Sequence, residues 1–172
     1  TLFRSWRFYQ DYDASRYSNY GESVTIKGKG DSPYHSSPLL FVAGCHSYEL
    51  EVEIELSGKA IAGLVVWYNN QYMVGSGISQ TKRYSYRRTV ATGRGLHPAT
   101  RRVWLRLKND RNSISGSYSL DGKTWKRDAW GMEVSGFDNN TLGGFMSVLP
   151  GIFVCGEGEA TFRHFKFMPI NN

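Results

Sequence analysis

The stretch Val103–Trp125, VWLRLKNDRNSISGSYSLDGKTW, decides the fold. Val103, Leu105 and Leu107 alternate with Trp104, Arg106 and Lys108, the period-two pattern of a strand with one buried face. Asn109-Asp110-Arg111-Asn112 is a polar break with turn chemistry. Ile114, Gly116, Tyr118 and Leu120 then alternate with Ser113, Ser115, Ser117 and Ser119. Asp121-Gly122 follows, and Asp-Gly between β-rich runs predicts a tight hairpin, because both central positions of a type I′ turn need positive φ. The segment therefore predicts three consecutive antiparallel strands. A meander with one apolar and one polar face must press the apolar face on a second sheet.

Working outward, Tyr48–Leu56 is the cleanest strand. Tyr48, Leu50, Val52, Ile54 and Leu56 point one way, and Glu49, Glu51, Glu53 and Glu55 the other. Ala62–Tyr68 (AGLVVWY) is continuously apolar and predicts a central strand covered on both faces. Asn69-Asn70 turns it into Gln71–Ile78, a second hairpin. Lys82–Val90 alternates Tyr84, Tyr86 and Arg88 with Arg83, Ser85 and Arg87; its aromatic face is either core or an open platform. Ala91–Thr100, with Gly93, Gly95 and Pro98, reads as a loop, and Trp125–Phe137 as an aperiodic surface crossing. Trp6–Tyr9 predicts an edge strand, Val24–Lys27 a brief strand, and Leu39–Ala43 a buried one. Phe145–Leu149 and Ile152–Cys155 read as strands split by Pro150-Gly151. In Ala160–Phe167 the apolar phase shifts between Phe162 and Phe165, which predicts a bulge near Arg163-His164. About a dozen short strands and no helical pattern give an all-β fold: a two-sheet antiparallel β-sandwich of the jelly-roll kind, one domain over 1–172.

Composition agrees. The chain has 172 residues, 15% of them aromatic, with 19 glycines and only 4 methionines, a balance that favours strands over helices. No apolar run of about 18 residues is present, so no membrane partner is expected. The first twenty residues do not read as a signal peptide. Cys45 and Cys155 make neither a disulfide framework nor a four-ligand zinc site. They do not fix the compartment, for which a secreted or periplasmic setting is favoured.

The net charge of +6 is unevenly spread. Ten basic residues between Lys82 and Arg111 face one opposing acid, Asp110, within that segment. A polyanion site, for nucleic acid or a uronic-acid polymer, is one reading. The other is cross-strand pairing with the glutamates of Tyr48–Leu56, and because that complementary strand exists we expect pairing and no nucleic acid.

Catalytic signatures fail one by one. Glutamates two apart on a strand lie near the separation a retaining glycosidase pair needs. The E-x-D-x-x-E pattern of sandwich-fold glycanases is absent, however, with Ile54 and Leu56 where its last carboxylate belongs. None of His35, His46, His97 and His164 has metal-ligand spacing, and there is no G-x-S-x-G elbow.

Five segments together resemble one family: Gly28–Phe41 (GKGDSPYHSSPLLF), Ala62–Tyr68, the hairpin ending Ser119–Trp125, Gly131–Gly136 (GMEVSG) and Gly156–Phe167 (GEGEATFRHFKF). In order and spacing they are similar to the C-terminal, concanavalin-A-like domain of glycoside hydrolase family 43 β-xylosidases and arabinofuranosidases. Versions of that domain are classed as carbohydrate-binding module family 91. The resemblance implies a non-catalytic module for plant cell-wall polysaccharide, xylan or arabinoxylan, with a family 43 catalytic β-propeller as a further partner. The family's accessory domain can lend a loop to the active-site edge; Gly136–Leu142 matches that region, with Phe137 at its tip beside Asp138 and Asn139. Related sandwiches seat a structural calcium between carboxylates of both chain ends. Only Asp11 and Asp13 lie near the start and no acid among the last ten residues, so no cofactor is expected.

Sugar recognition needs aromatic planes for pyranose faces and a few polar groups for hydroxyls. Trp104, Tyr84 and Tyr86, with Arg87, Arg88 and Arg106 near them in sequence, are the first candidates; Tyr72 and Trp130 are further ones. Burial in the core is the competing reading for each. Two other functions stay open: a free-standing sandwich glycosidase or lyase, and a protein-interaction sandwich of the SPRY type.

Overall fold

Fourteen strands are present in the computed structural model, which describes residues 3, 6–10, 12–18, 21–134, 136 and 148–170. They are β1 (Arg7–Phe8), β2 (Tyr17–Ser18), β3 (Val24–Lys27), β4 (Leu39–Leu40), β5 (Tyr48–Gly58), β6 (Ile61–Asn69) and β7 (Tyr72–Ile78). The second half holds β8 (Lys82–Arg87), β9 (Val90–Leu96), β10 (Arg102–Asp110), β11 (Ser113–Ser119), β12 (Lys126–Glu133), β13 (Leu149–Cys155) and β14 (Gly158–Pro169). No α-helix occurs among the described residues.

The strands form two seven-stranded antiparallel sheets, ordered β1-β4-β13-β6-β7-β8-β9 and β12-β11-β10-β5-β14-β3-β2. Alternation explains how they meet. In β5 Tyr48, Leu50, Val52, Ile54 and Leu56 are buried, and β10 sets Val103, Leu105 and Leu107 opposite Ile54, Val52 and Leu50. β14 adds Ala160 and Phe162, and β3 Val24 and Ile26. This wall packs on Ala62, Leu64, Val66 and Tyr68 of β6 and Val74 and Ile78 of β7. Truncating a fully buried ring such as Phe162 costs about 3–5 kcal/mol in such a core.

The first sheet is apolar on its other side too. Leu40, Val65, Trp67, Met73, Tyr86, Phe153 and Cys155 form a second cluster, with Tyr9 and Tyr34 packed against it. The continuous apolar run of β6 is therefore explained: its two faces serve two clusters.

The bulge expected near Arg163-His164 is present. The register of β14 against β5 shifts between Arg163 and Lys166, and His164 takes φ 53°. Five local expectations are corrected. The type I′ chemistry lies at the first turn of the meander, where Arg111 (φ 51°) and Asn112 (φ 70°) join β10 to β11. Asp121-Gly122 sits instead in a longer loop wound on side chains: Asp121 Oδ1 accepts the N–H groups of Lys123 (2.8 Å) and Thr124 (2.7 Å), and Ser119 Oγ accepts that of Gly122 (2.8 Å). That loop is an Asx-type turn, which Asp also favours. The glycine-rich segment after Val90 is a strand, β9, held by pairing with β8 despite poor intrinsic propensity. Lys126–Glu133 is likewise a strand, its alternation broken because the register against β11 jumps from Ser115–Gly131 to Ser117–Arg127. The buried strand at Leu39 ends at Leu40, and Pro150-Gly151 splits no strand, because both residues sit in unbroken register with Val66 and Val65 inside β13.

Candidate functional site

The outward face of the second sheet carries the side chains that alternate with its core. Along β10 these are Arg102, Trp104, Arg106 and Lys108, which pair with Glu55, Glu53, Glu51 and Glu49 of β5 on one side. On the other side Trp104, Arg106 and Lys108 pair with Ser119, Ser117 and Ser115 of β11. β14 brings Arg163 and Lys166 to the far side of β5. The acidic strand is thus clamped between two basic ones. Arg106 Nε lies 2.7 Å from Glu51, Arg102 Nε 3.0 Å from Glu53, Arg163 Nη1 2.6 Å from Glu55, and Lys166 Nζ 3.4 Å from Glu51. His164 Nδ1 is 2.6 Å from Glu53. Arg163 holds the Glu55 carboxyl below the ordinary carboxylate range. Glu51, Glu53 and Glu55 are each engaged by an arginine at hydrogen-bond distance, and Arg106 approaches Glu49 at 3.8 Å. The expected cross-strand pairing is present, although Glu53, only 6% exposed, is far from a solvated carboxylate.

Beyond β10 the surface drops. β11 presents only Ser113, Ser115 and Ser117, so its row is a floor between taller rows. A cleft of about 280 Å³ runs along it, lined by Glu49, Arg106, Lys108, Asp110, Arg127 and Gly131 among others. The bulge in β12 shapes the far wall. Trp130 turns inward against Gly116, where an added Cβ would come 2.8 Å from its ring, and Gly131 leaves the outward rung bare. Burial raises the carboxyl of Asp128, with Arg83 and Trp130 opposing.

Two indoles lie next to Arg106, beyond the cleft's own lining. Trp125 stacks on Arg106, whose guanidinium carbon is 3.7 Å from the ring centroid. Trp104 is half-buried, its ring over Gly122, where an added Cβ would lie 3.0 Å away. Flat rings beside hydroxyls and charged donors are what a pyranose chain needs. A wider recess of about 780 Å³ at one end of the sandwich, lined by Lys27, Asp31, Ser57, Glu157 and Glu159 among others, has no aromatic wall.

Of the residues expected to bind sugar, the structure brings Trp104 and Arg106 together beside this cleft and gathers Tyr72 with Arg88, and Tyr84 with Tyr86, on the other sheet. Tyr84 and Tyr86 belong to β8 in the other sheet, on its side away from the main core. Tyr86 is buried, with Phe153 at 5.7 Å and Tyr34 at 6.0 Å, so it is core and not an open platform. Tyr84 is half-buried under Lys82, whose Nζ is 5.2 Å from its centroid. Arg88 covers Tyr72 at 4.7 Å and donates to its hydroxyl at 3.1 Å, and Arg87 is exposed on the same strand as Tyr84. Trp130 lies beneath the serine row. Phe137, Asp138 and Asn139 lie outside the described residues, as do residues 145–147 of the strand expected there. Sequence reasoning missed Trp125, Lys108 and Arg127. The serine alternation that makes the floor was visible, but Trp125 follows a loop whose phase no periodicity carries. Among the described residues no group of three or more His, Cys, Asp or Glu could hold a metal.

Residues 42–168 match the family described as the β-xylosidase C-terminal concanavalin A-like domain. A comparison with curated proteins gives no match. Among solved structures, the glycoside hydrolase family 43 protein BlXynB of Bacillus licheniformis superposes with a TM-score of 0.81 at 17% identity, over 99% of this chain and 38% of that one. The xyloglucan-locus family 43 protein GH43B of Bacteroides ovatus gives 0.83 at 18% identity, again over 99% and 38%. The carbohydrate-binding module CBM66 from Bacillus subtilis gives 0.61 at 10% identity, over 97% of both chains. The chain thus spans well under half the length of the family 43 proteins it matches.

Proposed function

The chain belongs to the family of β-xylosidase C-terminal concanavalin A-like domains, and from that premise we propose that it is a non-catalytic module of a xylan-degrading glycoside hydrolase. In this reading it holds xylan-type polysaccharide, xylan or arabinoxylan, on the outward face of its second sheet. It accompanies a family 43 catalytic domain, and hydrolysis belongs to that partner. One observation carries the binding half: Arg106, which lines a serine-floored cleft, carries Trp125 on its guanidinium and stands two residues along β10 from Trp104. The rings supply apolar planes, and the serines and Arg106 supply donors and acceptors for hydroxyls. The glutamate row supports the absence of catalysis, because a general acid or nucleophile must be free to meet substrate and Glu51, Glu53 and Glu55 are tied to arginines.

Retention in xylan-containing native gels tests this reading. We expect the unaltered chain to be retarded and Trp104→Ala to run freely, with both showing a cooperative melt. The same preparation should release no product from p-nitrophenyl xyloside or arabinofuranoside. Migration indifferent to xylan would overturn the binding half, and turnover by the isolated chain the non-catalytic half.

A further inference from the structure

Resting on that reading, we propose that the cleft between β10 and β12 takes the carboxylate of a uronic-acid unit borne on the xylan chain. The argument starts from which cations are already engaged. Arg102, Arg106, Arg163 and Lys166 each meet a glutamate of β5. Lys108 and Arg127 are exposed and have no ion pair among the described residues, yet both line the cleft. Sheet register places them. Lys108 is beside Ser115, Arg127 is beside Ser117, and β11 runs between. Two strand spacings and a two-residue offset separate their Cα atoms by about 12 Å, a gap that two long cationic side chains close over one sugar ring.

The acids of the cleft fix where an anion would sit. Glu49 stands on β5, within 3.8 Å of Arg106, and Asp110 of β10 and Glu133 of β12 flank Ser113 from both sides at one end of the floor. An anion therefore lies away from the Ser113 end, over Ser115 and Ser117, where hydroxyls donate, Lys108 stands on one side and Arg127 offers a paired N–H fork on the other. Gly131 leaves the next rung empty for the ring that carries the carboxylate. A Cβ there would meet nothing nearer than the Ile114 carbonyl at 3.5 Å, so the gap is surface space and no requirement of packing. The neutral main chain then runs on toward Trp125 and Trp104.

The test is titration calorimetry of the full chain with glucuronoxylan, arabinoxylan and polygalacturonate. We expect glucuronoxylan to bind more tightly than arabinoxylan, and that margin to shrink as salt rises to about 0.5 M. Lys108→Ala and Arg127→Ala should each lower the glucuronoxylan-to-arabinoxylan affinity ratio by roughly twofold to fivefold, the range for one exposed charge pair. Gly131→Leu, which fills the gap, should erase the margin without changing the thermal midpoint. Equal affinity for the two xylans would overturn this inference and leave the module reading standing. Polygalacturonate binding as tightly as glucuronoxylan would also overturn it, reducing the cleft to general charge attraction. Failure to bind either xylan would overturn the underlying reading itself.

Discussion

Replacing Trp125 by alanine tests the site and its support together. The indole lies flat on Arg106 at 3.7 Å while Arg106 Nε reaches Glu51 at 2.7 Å, so one guanidinium serves an aromatic plane and a carboxylate. A half-buried indole hides about 100 Å² of apolar surface, worth about 2.5 kcal/mol. The cation–π contact adds about 0.5–1 kcal/mol at an exposed site. Pre-existing burial in the unfolded chain trims the sum to about 2–3 kcal/mol, a fall of about 5–10 °C in Tm for a domain of this size. A double-mutant cycle with Arg106→Met isolates the contact, because Lys166, 3.4 Å from Glu51, still neutralises that carboxylate when Arg106 is gone. We expect a coupling of about 0.5–1 kcal/mol in urea unfolding, with xylan retention lost in Trp125→Ala and largely kept in Trp125→Phe. Zero coupling, or full retention in the alanine variant, would refute the assignment of this indole to the site.

Three further outcomes follow from local chemistry. Arg111→Asn with Asn112→Gly, which puts the residues preferred by a type I′ turn at φ 51° and 70°, should raise unfolding stability by about 1 kcal/mol; a loss would contradict the turn. Backbone N–H groups of Thr124 and Lys123 hold the Asp121 carboxyl down at about 2, so its contribution is whole above pH 3.8 and fades as pH falls toward 2. Asp121→Asn should flatten that part of the acid limb of a stability profile, and an unchanged limb would argue against it. Burial pushes the Cys155 thiol up to about 12, whereas Cys45 is only half-buried. At pH 8 one equivalent of a thiol reagent should react promptly with the folded chain and the second only on unfolding; two prompt equivalents would contradict the packing.

Much of the second sheet was legible because one face of each strand is wet. Period two fixed β5, β10 and β11, and with them the outward row of Trp104, Arg106 and Lys108 beside the serines. The bulge in β14 was visible as a slip of apolar phase. The first sheet was harder. Period two correctly set Tyr84 and Tyr86 on one side of β8, but it says nothing of what covers that side, and Tyr34 arrives from fifty residues earlier to bury Tyr86. β9 escaped notice because its glycines carry no pattern and a neighbouring strand supplies its hydrogen bonds. The site itself was half legible, since adjacency along a strand is written in sequence while adjacency across three strands is not.

The alternation in β10 and β11 also separates two evolutionary pressures. Odd-numbered positions of β10 hold the sandwich shut, and even-numbered ones meet whatever lies outside. Exchanges at Lys108, Ser115, Ser117, Arg127 or Gly131 leave the interior untouched, so under the proposed reading ligand preference would drift there at little thermodynamic penalty. Glu53 is the exception: sealed beneath Arg102 and His164, it binds three strands into one unit, and a lineage retuning its ligand has least freedom at that position.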